Sequence, residues 1–258
     1  MAVRPRQRRG LGQHFLRSSK LAAELVRAAG IRPGDLVLDL GAGTGVLTGA
    51  LARVTPRVIA VEIDGALAAA LRQRFREVRV LQADALSIAL PQEAFKVVAN
   101  LPFDGGTAML RRLLDPRIPL ESADVIVDWG LASKRAAVWP GTQLSAYWGA
   151  WFELSISRRL PSAVFAPPPA TDGGLLRIAR RAEPLVRDRD HRDYEAFLCA
   201  GVPGRAAIGR DLAPAETLRR RARLRPESPS ARPRRTAVGR RLARCPAKHL
   251  ESRATEPL

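Results

Sequence analysis

Four consecutive residues, Asn100-Leu101-Pro102-Phe103, close the apolar run FKVVAN (95–100) with an amide, a backbone carbonyl, a rigid ring and an aromatic face. Together these groups suit the exocyclic amine of adenine. That amine is a poor nucleophile, because its lone pair is delocalised into the ring. The Asn100 side-chain oxygen and the Leu101 carbonyl can accept its two N–H bonds and favour the tetrahedral geometry that frees the pair. Pro102 fixes φ and has no N–H, which stiffens the turn. Phe103 offers a face for stacking, worth roughly 1–3 kcal/mol per base.

A second constellation lies upstream, in DLGAGTG (39–45). Glycines between a strand and a helix let backbone approach a ligand closely, and the helix start that follows favours negative charge. Gly41, Gly43 and Gly45 are spaced G-x-G-x-G, not the G-x-G-x-x-G of the dinucleotide fingerprint. This spacing favours S-adenosylmethionine over a nicotinamide cofactor. Glu62, in AVEID, stands where a carboxylate can accept from both ribose hydroxyls, and Asp84, in QADAL, where one can accept from an adenine amine. Three such features at successive strand ends point to a nucleoside-bearing cofactor.

The elements that must position these residues alternate in the first half of the chain. LAAELVRAAG (21–30) has helical spacing and stops at Gly30; LVLDLGAG (36–43) is a buried strand and VLTGALARV (46–54) a helix. RVIAVEID (57–64) follows as a strand, VRVLQADAL (78–86) as a strand that ends at Asp84 with its turn, and FKVVAN (95–100) and ADVIVDW (123–129) as strands, with helices at 66–75 and 106–114 and another beginning at LASKRAAV. WFELSISRRL (151–160) and GGLLRIARR (173–181) close the sheet, separated by the loop PSAVFAPPPATD. Alternation of this kind predicts an α/β fold with a mostly parallel sheet covered by helices. Asn100 then falls at the carboxyl edge of the fourth strand, beside the first, at the crevice where ligands bind.

Composition bounds the partners. The chain of 258 residues carries 43 Lys and Arg against 25 Asp and Glu, a formal net charge of +18, which points to an anionic polymer, nucleic acid first. No apolar run approaches the ~20 residues of a spanning helix, and the basic start MAVRPRQRRG is followed by no apolar segment of a secretory signal, so no membrane association is expected. Cys199 and Cys245 are far apart and lack His at ligand spacing, which argues for a reduced, cytoplasmic protein without a metal site. His191 and His249 read as surface residues. Three regions are expected: a basic arm over 1–18 that begins the cofactor pocket, a catalytic domain over 19–181, and an Arg/Pro-rich region over 182–258. In that last region only DYEAFL (193–198) has the pattern of a packing helix, and the remainder reads as a weakly ordered basic tail.

With GQHFL, DLGAGTG, EID, NLPF and FAPPPATDGGLL in this order, the chain over roughly residues 10–181 resembles the Erm family of 23S rRNA adenine-N6 methyltransferases, which confer macrolide, lincosamide and streptogramin B resistance. The resemblance implies a Rossmann-like, seven-stranded methyltransferase sheet followed by a small helical domain, and mono- or dimethylation of one adenine of 23S rRNA, or of a large-subunit assembly intermediate, by a monomer. It places His14 and Leu16 in the cofactor pocket, Gly41 at the methionine part, Glu62 at the ribose, Asp84 at the adenine, and Asn100 at both cofactor and target amine. Phe103 takes the place of the aromatic that stacks on the flipped base. Two departures stand out: Asp104-Gly105-Gly106 follows NLPF where many relatives start a helix with Asn, and the segment after 199 lacks the look of the compact helical domain.

Arg111, Arg112, Lys134 and Arg135, on helices after the fourth and fifth strands, are the candidate phosphate contacts, positioning RNA without reading it. The target adenine must leave its stack, so a loop or bulge is expected as substrate rather than a regular duplex. The housekeeping small-subunit rRNA adenine dimethyltransferase shares the glycine turn and the NLPF-like motif and is the nearest alternative; a non-catalytic nucleic-acid-binding relative is another, and an NAD-dependent oxidoreductase leaves the charge unexplained.

Overall fold

The computed structural model describes residues 14–137 and 141–200. The chain divides into two compact units, Met1–Pro184 with Pro257–Leu258, and Leu185–Glu256. In the first, the elements run β1 (Phe15–Leu16), α1 (Ser19–Ala28), β2 (Val37–Leu40), α2 (Val46–Leu51), β3 (Val58–Glu62), α3 (Gly65–Arg74), β4 (Arg79–Gln82), β5 (Phe95–Asn100), α4 (Gly106–Leu113), β6 (Leu120–Asp128), α5 (Trp129–Arg135), α6 (Gln143–Gly149), β7 (Phe152–Leu160), β8 (Phe165–Ala166) and β9 (Gly173–Arg180). In the second, α7 (His191–Ala200) spans the expected DYEAFL helix. The basic start, the tail beyond 200, Cys245 and His249 lie outside the described residues.

Seven strands form one sheet in the order β4-β3-β2-β5-β6-β9-β7. The strands β4 to β6 pair in parallel, whereas β9 runs antiparallel to both β6 and β7. This is the Rossmann-like methyltransferase arrangement. Its central strands VLDL and VIAVE are buried along their whole length, as strands of a parallel sheet covered on both faces must be. Side-chain caps set the helix starts. Ser18 accepts from Leu21 N before α1, Asp64 from Ala66 N and Leu67 N before α3, and Asp128 from Leu131 N before α5.

Three boundaries differ from expectation. The third strand stops at Gln82, two residues before the expected end at Asp84, and Asp84 belongs to the expected turn, where it accepts from Leu86 N (2.9 Å). Trp129 opens α5 instead of ending β6, since the Asp128 cap starts the helix there. The loop after β7 contains β8, which pairs antiparallel with β1 through Phe15↔Ala166 and Leu16↔Phe165. Neither two-residue strand has a periodicity that sequence could reveal.

Candidate active site

The chemistry-bearing residues converge at the carboxyl ends of β2, β3, β4 and β5. After β2 the turn is built from left-handed backbone at Gly41, Gly43 and Gly45 (φ +74°, +55° and +77°), which only glycine adopts without strain. Gly41 N and Ala42 N both donate to Val61 O (2.8 and 3.0 Å), tying the turn to β3. Gly43 N donates to Glu62 Oε2 (2.7 Å) and Asp64 N to Oε1 (2.9 Å). Glu62 is 2% exposed, and these two bonds fix its carboxylate while leaving further lone pairs to accept from a diol.

A cavity of about 150 Å³ opens here, bounded by His14, Gly41, Glu62, Asp84, Asn100, Leu101 and Pro102. Seven of the residues singled out in the sequence are therefore together. Leu16 lines a smaller adjoining hollow of about 20 Å³ with Phe15, Asp39 and Gly41. Gly43 and Gly45 serve packing: a β-carbon on Gly43 would lie 2.6 Å from the Phe15 ring, and one on Gly45 would lie 2.5 Å from Leu71. Ile63 and Leu86 also line the larger cavity and are 49% and 42% exposed, two large apolar side chains where a flat base could be covered. Sequence reading missed both. The signal was present, an apolar residue directly after or two places after each acidic one.

Asn100 holds the focal position. Its Nδ2 donates to His14 O at 2.6 Å, while its Oδ1 is buried with no partner among the described residues. Leaving a buried acceptor unpaired costs about 1–3 kcal/mol, so such an oxygen is a place prepared for an incoming donor. The segment supplying His14 O is secured by the β1–β8 pairing, by Arg17 N donating to Val164 O (3.0 Å) and by His14 Nδ1 donating to Pro167 O (2.9 Å). Phe103 is half-buried, its ring 5.4 Å from that of His14 and edge-on to Phe165 at 5.7 Å. Two neighbours hold the ring in place.

Behind the turn, Asp39 is 1% exposed and accepts from Thr48 Oγ1 at 2.6 Å. Burial pushes its carboxyl up to about 7, with the Glu62 charge adding to the effect and the Thr48 hydrogen bond opposing it.

The four candidate phosphate contacts separate. Arg111 and Lys134 are exposed. Arg112 is partly buried on α4 and donates to Leu86 O, which braces the Asp84–Leu86 wall of the cavity. Arg135 departs from the expectation. It is 8% exposed, donates to Thr142 Oγ1 (3.0 Å) and Ser145 Oγ (3.3 Å), and lies 5.2 Å from the Trp148 ring centroid. It is occupied in joining α5 to α6, because the chain turns back over it.

Comparison with known proteins identifies relatives over most of the chain. The family model described as ribosomal RNA adenine dimethylase matches residues 4–206. The mycinamicin-resistance protein MyrB of Micromonospora griseorubida is 34% identical over 237 residues, covering 90% of this chain and 76% of its own. Ribosomal RNA small subunit methyltransferase A of Shouchella clausii is 33% identical over 201 residues, covering 72% and 68%. The crystal structure of the 23S rRNA methyltransferase ErmE superposes with a TM-score of 0.67 at 30% identity, covering 74% of this chain and 80% of that one.

Proposed function

Because the chain belongs to the ribosomal RNA adenine dimethylase family, a family of rRNA adenine-N6 methyltransferases, we propose that it methylates N6 of one adenine of 23S rRNA with S-adenosylmethionine and so confers macrolide, lincosamide and streptogramin B resistance. The observation that carries the reading is the buried Oδ1 of Asn100 at the cavity edge, without a partner among the described residues, beside the half-buried Phe103.

The residues present fit the cofactor. Glu62 can accept from the ribose hydroxyls, Asp84 from the adenine amine between Ile63 and Leu86, and Gly41 leaves room for the methionine part. S-adenosylmethionine, when bound, supplies an electrophilic methyl on a sulfonium. Phe103 stacks the extruded target base, and Asn100 Oδ1 with Leu101 O accepts its two N–H bonds and directs the nitrogen lone pair. Catalysis on this reading is positioning and electrostatics in a water-poor crevice.

Large-subunit RNA is favoured by the similarity to a resistance protein over 90% of this chain. The small-subunit reading is kept by the comparable identity of the S. clausii relative. Incubation with methyl-labelled S-adenosylmethionine and each rRNA separately, followed by mapping, decides between them. Label on one adenine of 23S rRNA is expected; label confined to 16S rRNA makes the protein a maturation enzyme, and no label on either overturns the reaction.

A further inference from the structure

The motif Thr171-Asp172-Gly173-Gly174 plays no part in the reaction described above, yet it organises a second exposed feature at the same edge of the sheet. Asp172 is used three times: its O accepts from Trp129 N (3.0 Å), its Oδ1 from Ser162 N (2.9 Å) and its Oδ2 from Arg159 Nε (2.8 Å). Thr171 Oγ1 donates to Asp128, which also caps α5. A β-carbon on Gly174 would lie 2.6 Å from Ala132 Cβ and 3.3 Å from Trp129 Cε3, so the absence of a side chain lets the indole lie on the backbone of β9. The result is a fixed indole with a fixed guanidinium over it, Arg159 Cζ being 4.8 Å from the Trp129 ring centroid.

Arg159 is 60% exposed despite these restraints, and its Nη groups make no hydrogen bond or ion pair among the described residues. Among the other exposed arginines with carboxylate partners, Arg57, Arg117 and Arg158 direct a terminal Nη at the acid, whereas Arg189, like Arg159, faces it with Nε, at 3.9 Å. In Arg159 only Nε is engaged. Its Cζ lies over the Trp129 ring, and the two terminal nitrogens have no partner among the described residues.

Its location gives the feature meaning. Trp129 directly follows β6, and Ile126 of that strand is paired with Asn100. Phe165, edge-on to Phe103, packs over Gly173, the neighbour of Gly174. Gly173 and Gly174 point to opposite faces of β9, so one ring of the target pocket and the indole of the guanidinium stack lie on the two faces of a single strand end, at the carboxyl edge of β6.

Resting on the reading that the substrate is RNA, we propose that the Arg159–Trp129 stack is a platform for an unpaired base next to the target adenine. When one base is extruded, its neighbours lose a stacking partner, and an unstacked base can lie on an aromatic ring or an arginine plane. The free Nη groups then reach the adjoining phosphate. A lysine at this position keeps the charge and can pair with Asp172, but has no plane to stack on.

Fluorescence anisotropy on a labelled RNA hairpin with an unpaired adenine, and on the same hairpin with abasic sites flanking that adenine, tests the platform in the full-length protein. Arg159→Lys and Arg159→Ala are both expected to weaken binding to the intact hairpin by about five- to a hundredfold, as for loss of one base stack. The abasic hairpin should bind wild type and Arg159→Lys alike, and the melting temperature of Arg159→Lys and its KM for S-adenosylmethionine should not move. Wild-type affinity in Arg159→Lys overturns the platform and makes Arg159 a simple phosphate contact; an equal loss on intact and abasic hairpins overturns it as well. RNA binding without methylation by the wild type refutes the proposed reaction while the platform is still measured, whereas no RNA binding overturns both.

Discussion

Asp39 provides a quantitative test of how the glycine turn is built. The side chain is 1% exposed and its folded-state ionisation is raised from 3.8 to about 7, chiefly by burial. A carboxyl whose folded value exceeds its unfolded one favours the fold while neutral. Its contribution is fully present below about pH 4, is lost as pH rises to about 7 and is constant above that. Folded and unfolded ionisation are separated by about three pH units, worth about 4 kcal/mol, of which about 3 kcal/mol falls between pH 5 and pH 8. Asp39→Asn keeps the shape, and its amide oxygen can still accept from Thr48, but it does not titrate. Urea unfolding of both proteins should show the variant gaining about 3 kcal/mol relative to wild type between about pH 5 and pH 8. Taking the difference removes the titration of Asp124, raised by burial, and of Asp35, lowered mainly by its bonds to Lys96 and Arg32 against the opposing effect of burial. Equal pH dependence in the two proteins would refute the reasoning. It would mean that Asp39 ionises freely, which requires water or a cation behind the turn.

Three further outcomes follow from the site. Asn100→Ala should abolish methyl transfer and leave the denaturation midpoint near wild type, because the lost Nδ2 bond to His14 O is offset by removing a buried oxygen that has no partner among the described residues; transfer at the wild-type rate would end its assigned role. Phe103→Ala should raise the KM for RNA by about fivefold or more with little change in the KM for S-adenosylmethionine, and a defect confined to the cofactor would argue against stacking. Gly43→Ala should be destabilising by about 1–3 kcal/mol and weaken cofactor binding, since it strains backbone at φ +55° and displaces the Phe15 ring; a variant as stable as wild type in a thermal melt contradicts the packing described.

Much of this site was legible because its residues sit at strand ends, and strands announce themselves by local composition. VLDL, VIAVE and FKVVAN are short apolar runs that end in Gly, Asp, Glu or Asn, so the positions of Gly41, Glu62 and Asn100 at one sheet edge follow from alternation with helices alone. The family resemblance rests on the same residues, and the large positive charge points to an anionic polymer as partner.

Tertiary structure decided what local pattern cannot encode. Gly43 and Gly45 occupy the same motif as Gly41, yet the first accommodates Phe15 and the second Leu71 and Phe75, residues 28 and 26 to 30 positions distant in sequence. Arg135 looks like any basic residue late in a helix until the chain returns with Thr142, Ser145 and Trp148 around it. The carbonyl that orients Asn100 comes from His14, 86 residues away, and is brought there by a two-residue pairing with Phe165–Ala166. Sequence determined which groups are present and which strand ends carry them, because strand and turn preferences act over a few residues. Which partners each group meets depended on long-range packing, where one β-carbon or one returning loop changes the outcome.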